Sequence, residues 1–543
     1  MFVFDIRVYR SLRSAYLEGC DDSVRPSVNS RGDLSQREMT VTLDGHSLTL
    51  DDLAAIAYAH APVALSNEAR DRVRAARAVV DEFVQHDTPT YGINTGFGSF
   101  AEVRIPSESL AELQVNLLRS HAAGVGEPLQ VPVVRATMAL RANVLAKGFS
   151  GIRVETLELL IALINHGVHP VVPSRGSVGA SGDLAPLAHL ALVLIGEGDV
   201  WGTGARESGA AALARAGLRP VTLAPKEGLA LINGTQPSTA LLGLALDGAL
   251  RLARAADIAA ALSIDGLRGS TRPFDPRIHD ARGIEGQSVS ADNVRRLLDG
   301  SPINASHANC GRVQDAYSMR CTAQVHGAAR EAIAFALRAF HAEANAATDN
   351  PMVFTDTRDI VSGGNFHGAP IGLAADVLCL GLAQLATISE RRVDRLVNPA
   401  SSGLPAFLTR HGGLQSGLMM AQVTAAALAS ELKTLAHPAS VDSIPTSGNK
   451  EDHVSMSMTA ALKAARAVEL ARAVLAAELL CAAQAIDLLA PLATSRPLAR
   501  VHESIRARVP TLDRDRPPSP DLVEITAMIE GGDLDRACEM KVN

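Results

Sequence analysis

The chain has 543 residues and is 47% hydrophobic but only 3% aromatic, so its core must be aliphatic. Its 51 basic and 58 acidic side chains leave a net charge of −7 with no basic stripe, which gives no general attraction to nucleic acid or to an anionic membrane. Six scattered cysteines form no Cys-x-x-Cys pair, so a reduced, cytoplasmic protein is expected.

Residues 1–38 hold Tyr9, Tyr16, several arginines and a polar stretch from Asp21 to Glu38, without periodicity and without the apolar core of a signal peptide. They read as a disordered extension or as residues upstream of the true start. A regular pattern opens at Met39-Thr40-Val41-Thr42-Leu43. Thr49-Leu50-Asp51-Asp52 resembles a capping box leading into Leu53-Ala54-Ala55-Ile56, and Ser66 precedes a helical run to about Gln85. Runs 236–262, 326–345, 371–397, 415–436 and 456–490 are long, rich in Ala and Leu, and poor in Gly and Pro. They predict long helices, and Ser519-Pro520 with Gly531 frame a last short one. The apolar stretches 236–262 and 470–494 carry Asp247, Arg251 and Arg254, or Glu478 and Asp487, and read as buried helices, not membrane spans. Strand-like runs are few. Helices apolar on several sides imply a bundle, and one chain does not readily cover them all, so self-association is expected.

Between the helices lie polar, Gly-rich segments read as irregular loops: 88–106, 172–183, 263–313, 348–369, 398–417 and 437–453. Loops on a rigid helical scaffold are where chemistry usually sits. The most informative one runs Gly176-Ser177-Val178-Gly179-Ala180-Ser181-Gly182-Asp183-Leu184. An Ala-Ser-Gly tripeptide can cyclise: the Gly182 nitrogen attacks the Ala180 carbonyl carbon and two waters leave, one carrying off the Ser181 hydroxyl. The product, 4-methylidene-imidazol-5-one (MIO), is an electrophile that no ordinary side chain supplies. Gly serves here because its bare Cα permits close backbone approach. Asp183 could assist closure or cap the following helix. A Gly-x-Ser-x-Gly hydrolase motif is absent, because Gly179-Ala180-Ser181-Gly182-Asp183 lacks the last glycine. No Gly-Lys-Ser/Thr follows the glycines, which excludes a phosphate-binding loop.

Other segments join this one in a set order: Tyr91-Gly92-Ile93-Asn94-Thr95-Gly96-Phe97-Gly98, Ser120-His121-Ala122-Ala123-Gly124-Val125-Gly126 and Asn233-Gly234-Thr235-Gln236. Gln314-Asp315-Ala316-Tyr317-Ser318-Met319-Arg320-Cys321, Gly363-Gly364-Asn365-Phe366, His437 to Ser447, and Glu451-Asp452-His453 follow. Together, over about residues 45–500, they resemble the aromatic amino acid ammonia-lyases, and most of all the branch that acts on histidine.

The resemblance implies a mainly α, ammonia-lyase/fumarase-like architecture. A loop-rich N-terminal lyase domain (39–240) would carry the cofactor, and a long-helix bundle (241–543) would follow. It implies a homotetramer with active sites drawn from several subunits, and an MIO formed from Ala180, Ser181 and Gly182, with no metal or added coenzyme. Tyr91 matches the general base for the β-proton. With an ordinary pKa near 10, it would need an electropositive setting to act near neutral pH. Tyr317 matches a second tyrosine near the cofactor. Arg320 matches the residue that grips the substrate carboxylate, a task suited to a planar guanidinium. Asn233 matches a residue bonding the cofactor or the amino-acid end of the substrate, and Gln314 and Phe366 match pocket residues.

Ser120-His121 and Glu451 stand where the family keeps its selectivity residues, and both imply L-histidine, converted to trans-urocanate and ammonia. An imidazole offers a donor and an acceptor to His121 and Glu451, whereas a phenyl ring offers nothing to a carboxylate. The runner-up is a tyrosine or phenylalanine lyase or aminomutase on the same scaffold, and a remoter reading is an inactive helical binding protein. Lys450 beside Glu451 and Leu432 in Ser430-Glu431-Leu432-Lys433 depart from the family pattern.

Overall fold

Thr49 opens helix α1 (Leu50–Tyr58): its hydroxyl accepts the Asp52 N–H at 3.1 Å, and the Asp52 carboxylate accepts the Thr49 N–H at 3.1 Å. This is the capping box expected there. Ser66 likewise caps the helix Asn67–Val84 by accepting the Ala69 N–H. The computed structural model describes residues 40–85, 89–96, 98–100, 102–202, 204–308, 311 and 313–543; the expectation for 1–38 lies outside them.

The predicted long helices are α6 (Gln236–Gly266), α9 (Thr322–Ala344), α10 (Ala369–Val397), α11 (Met419–Leu435) and α12 (Ser457–Leu488). Shorter ones lie among or before them: α2 (Leu110–His121), α3 (Val131–Ala146), α4 (Leu184–Leu194), α5 (Glu227–Ile232), α7 (Glu285–Leu298) and the single turn α8 (Tyr317–Arg320). Helix α12 packs along both α6 and α10, and α10 also packs on α9. Most of α6 and α12 is buried, and their many alanines let the axes approach closely.

Helix α10 is apolar and long enough to cross a membrane by length and composition. Here it is a core helix, and its buried charges are paired. Asp376 meets Lys463 Nζ at 2.7 Å, and the Arg392 guanidinium bonds the buried Glu478 carboxylate, with Nη2 at 2.9 Å. Arg392 also donates through Nη1 to the Ser318 carbonyl at 3.3 Å, which ties the turn α8 to the bundle.

One segment corrects the loop reading of 263–313, for it contains α7 and the short helix Pro276–Arg282. The buried face of α7 opens with Gly286, Gln287 and Ser290, and its apolar members Ala291, Val294, Leu297 and Leu298 fall only in the second half, so the apolar period is short. Small residues serve there because α9 crosses at backbone distance: a Cβ on Gly286 would sit 2.7 Å from the Gly327 oxygen.

Strands among the described residues form only two-stranded ribbons. The parallel pair β1 (Val41–Leu43) and β2 (Val63–Leu65) lies beside α1, and the antiparallel pair β3 (Val125–Pro128) and β4 (Pro173–Arg175) links the end of α2 to the segment leading into Ala180.

Candidate active site

Ala180-Ser181-Gly182 forms a tight bend just before α4. Gly182 has φ +72° and pairs with Gly234, so a Cβ on it would fall 2.2 Å from the Gly234 oxygen. Only glycine fits both the angle and the approach. The Asp183 N–H donates to the Gly234 oxygen at 2.8 Å, fixing the bend against the chain that carries Asn233.

Asn233 is 4% exposed; its Nδ2 donates to the Ser181 carbonyl at 3.0 Å, and its Oδ1 is buried without a hydrogen-bond partner among the described residues. The carbonyl of Asn233 is held in turn by Arg141 Nη1 at 2.8 Å, and the same fully buried guanidinium bonds the Ala230 carbonyl and Gln236. Burial lowers the pKa of Arg141 to about 10, so it stays charged at neutral pH. It is a cation beneath the bend, and no signal in the sequence distinguished it from a surface arginine.

Asp183 does not cap α4 through its side chain. Its fully buried carboxylate accepts from Ser177 Oγ at 2.6 Å, Ser238 N–H at 2.9 Å and Ser238 Oγ at 2.6 Å, and burial pushes its pKa up. The capping reading of Asp183 is therefore corrected. A buried carboxylate satisfies itself with the nearest hydroxyls, and the twist at Asp183 (ψ 60°) carries its side chain away from the helix start.

Glu451 reaches the bend from the far loop. Its Oε1 accepts the Ser181 hydroxyl at 2.6 Å and its Oε2 accepts Thr446 Oγ1 at 2.6 Å. Thr446 is thus a positioning residue that the motif reading passed over. Lys450 beside it is exposed and makes no ion pair among the described residues. Leu432 is fully buried on α11 in the apolar core.

His121 ends α2. Its Nδ1 lies 2.9 Å from the Leu117 carbonyl, which can only accept, so Nδ1 carries the proton and Nε2 offers a lone pair. Burial lowers its pKa, and the Glu451 charge opposes that shift. Tyr91 packs against the core with its pKa raised, first by burial; a hydrogen bond from the Gly98 backbone works against this and the Glu451 charge adds to it. The shift runs upward, opposite to what an electropositive setting would produce. Phe366, half-buried, lies two residues before Gly368, whose N–H donates to the Gly179 carbonyl at 3.1 Å.

The remaining three residues lie elsewhere. Gln314 and Tyr317 are exposed, and Arg320 lies over the Tyr317 ring at 4.5 Å and donates from Nε to the Asp315 carbonyl at 3.0 Å. Neither Tyr317 nor Arg320 has a hydrogen bond to the Ser181 cluster among the described residues.

Residues 48–507 match the family described as aromatic amino acid lyase. The chain belongs to the aromatic amino acid lyase family. It is a carbon–nitrogen lyase, and its mainly helical fold is the family's. The histidine ammonia-lyase of Anaeromyxobacter sp. (strain K) is 57% identical over 505 residues, covering 91% of this chain and 99% of that protein. The crystal structure of histidine ammonia-lyase from Trypanosoma cruzi superposes with a TM-score of 0.86 at 46% identity, covering 92% of this chain and 95% of the other. A tyrosine aminomutase from Streptomyces globisporus superposes with a TM-score of 0.89 at 37% identity, covering 93% and 100%. The lyase scaffold is thus similar to proteins of different named activities, and only the site can choose among them.

Proposed function

We propose that the chain deaminates L-histidine to trans-urocanate and ammonia, using an MIO formed from Ala180, Ser181 and Gly182. The observation that carries the reading is Glu451, placed 2.6 Å from Ser181 Oγ and facing the same space as His121. A carboxylate and a neutral imidazole acceptor suit a substrate ring with N–H and N: donor to acceptor on one side, exchangeable proton on the other. A phenylalanine ring would leave Glu451 facing carbon, and a tyrosine ring offers one phenolic O–H but no second ring nitrogen for His121 and Glu451 to share.

The residues present fit the cofactor. Gly182 has the bare Cα and the positive φ that a folded-back tripeptide needs, and Asn233 Nδ2 already bonds the carbonyl that becomes the ring oxygen. When formed, the group supplies an electrophile that makes the substrate amine a better leaving group. Around it, the chain's own residues bind and move protons. Asn233 Oδ1 accepts from the substrate amino group. His121 Nε2 and the Glu451 carboxylate hold the imidazole and fix the β-carbon in place. Tyr91 takes the β-proton as tyrosinate. Arg320 clamps the carboxylate, Gln314 and Phe366 line the pocket, and Tyr317 stands near the cofactor.

Because Gln314, Tyr317 and Arg320 sit on an exposed turn, we assign them to the site of another copy in a homotetramer. Exposed Leu373 and Leu380 on α10 and Met420 and Val423 on α11 fit burial between copies. A cytoplasmic location suits such an enzyme.

The test is urocanate absorbance from purified protein and L-histidine, alongside intact mass. Saturable urocanate formation by protein lighter than its sequence mass by two waters supports the proposal. A flat trace from folded, mature protein that turns over tyrosine or phenylalanine would refute the histidine assignment.

A further inference from the structure

His189 lies on α4, the helix that begins at the Ala-Ser-Gly bend. Its Nε2 accepts the Gly124 N–H at 3.0 Å, so the imidazole is neutral with its proton on Nδ1. Gly124 is three residues beyond His121, and its Cα is close enough to Gly176 that a Cβ there would approach it to 3.1 Å. The loop 122–124 therefore touches both the end of α2, which presents His121, and the segment entering the bend.

The loop's other backbone bonds are local, Ala122 N–H to the Leu118 carbonyl at 3.1 Å and Ala123 N–H to the His121 carbonyl at 2.8 Å, whereas the His189 bond ties it to α4. A cavity of about 410 Å³ opens beside it, lined by Ala122, His189, Leu192, Asp199 and Arg206 among others. Packing does not restrain the loop from that side. Onward, β3 is mostly exposed and its pairing with β4 is irregular, with partners only at Val125–Arg175 and Pro128–Pro173. A side chain at Gly124 would be tight, because a Cβ there would come within 3.1 Å of His189 Nε2 and 3.2 Å of Pro173 Cβ. Backbone meets imidazole directly at this point.

We propose that His189 is a positioning residue for substrate recognition: by tethering Gly124 to α4 it fixes the distance between His121 and the cofactor bend. The inference rests on the reading of His121 as an imidazole-binding residue. It goes beyond that reading in naming the group that keeps His121 in register.

The experiment is steady-state kinetics with L-histidine on full-length His189→Leu and His189→Gln, with intact mass measured on each. Leu keeps the bulk and removes the acceptor, whereas the Gln oxygen reaches the Nε2 position. Loss of one hydrogen bond should raise KM about fivefold to tenfold in the Leu variant, leave kcat within about twofold, and be largely reversed in the Gln variant. Both should still lose two waters. Should the Leu variant not fold, His189→Asn, too short to reach Gly124, is expected to show the same KM rise. Unchanged KM in an active Leu or Asn variant overturns the inference, and so does an equal fall in kcat accompanied by incomplete loss of water. A wild-type protein that makes no urocanate overturns the histidine reading instead, so the two failures are distinguishable.

Discussion

The bend at Ser181 and the turn at Tyr317–Arg320 carry motifs of similar length, yet one chain treats them in opposite ways. Around Ser181, three other chain segments converge: Asn233 and Glu451 each bond it, and Arg141 lies buried beneath, while Asp183 of its own segment is fully buried. Tyr317 is 70% exposed, and the turn is held mainly by its own carbonyls and by Arg392 from below. The contrast teaches that half of the proposed site is pre-organised within the fold, while the other half is presented outward on a rigid base. Such a half acquires a task when a second copy arrives.

Four measurements break or sharpen this contrast. The largest effect belongs to Ser181→Ala, which should cost roughly a thousandfold or more in kcat with the melting temperature preserved. Arg320→Ala should fail separately, and co-expression of the two variants should restore roughly a quarter of wild-type activity by random mixing if each site draws on two chains. No recovery in mixed oligomers would return both halves to one chain. Next, Glu451→Gln keeps the bond to Thr446 but loses the carboxylate, and should lower kcat/KM for histidine on the order of 10²-fold, about 3 kcal/mol. Intact mass should still show the loss of two waters; an unchanged kcat/KM would remove Glu451 from recognition.

The third is pH dependence. Burial pushes Tyr91 above its usual 10.0, so tyrosinate becomes populated as pH rises and kcat/KM should keep increasing on the alkaline side. His121, pushed below its usual 6.5, accepts only while neutral, so activity should fall as pH drops through that lowered value. In His121→Gln the acid fall should vanish while the alkaline rise persists. A profile flat from pH 7 to 10 would rule out Tyr91 as base, unless the other half of the site supplies an electropositive setting. In that case Arg320→Ala should restore the rise. The smallest effect belongs to Lys450→Gln: an exposed, unpaired ammonium should change kcat/KM by less than about twofold. A larger change would place Lys450 at a contact between copies.

The long helices and their caps were legible because their residues satisfy local rules: Thr49 with Asp52, Ser66 with Ala69, and unbroken Ala/Leu runs. Helix α7 was not, since the first half of its buried face is small and polar where it meets Gly327, which leaves only a short apolar period from Ala291 to Leu298. In the site, the residues belonging to motifs were visible, and Ser181, Asn233 and Glu451 lie together. Their supports were not. Arg141, Ser238 and His189 act through hydrogen bonds to residues far apart in sequence, which leave no local pattern, and Thr446, five residues from Glu451, belongs to a loop with no regular period.

The contact between Gly182 and Gly234 has a consequence for how this scaffold can diversify. Two backbones meet there with no space for a side chain on either. Nearly every substitution at those positions should be lost from a saturation library screened for activity. Variation is thereby channelled to positions such as His121 and Glu451, which meet the site through side chains and not through backbone. New substrates would be reached by editing those positions while the electrophile's cradle stays constant.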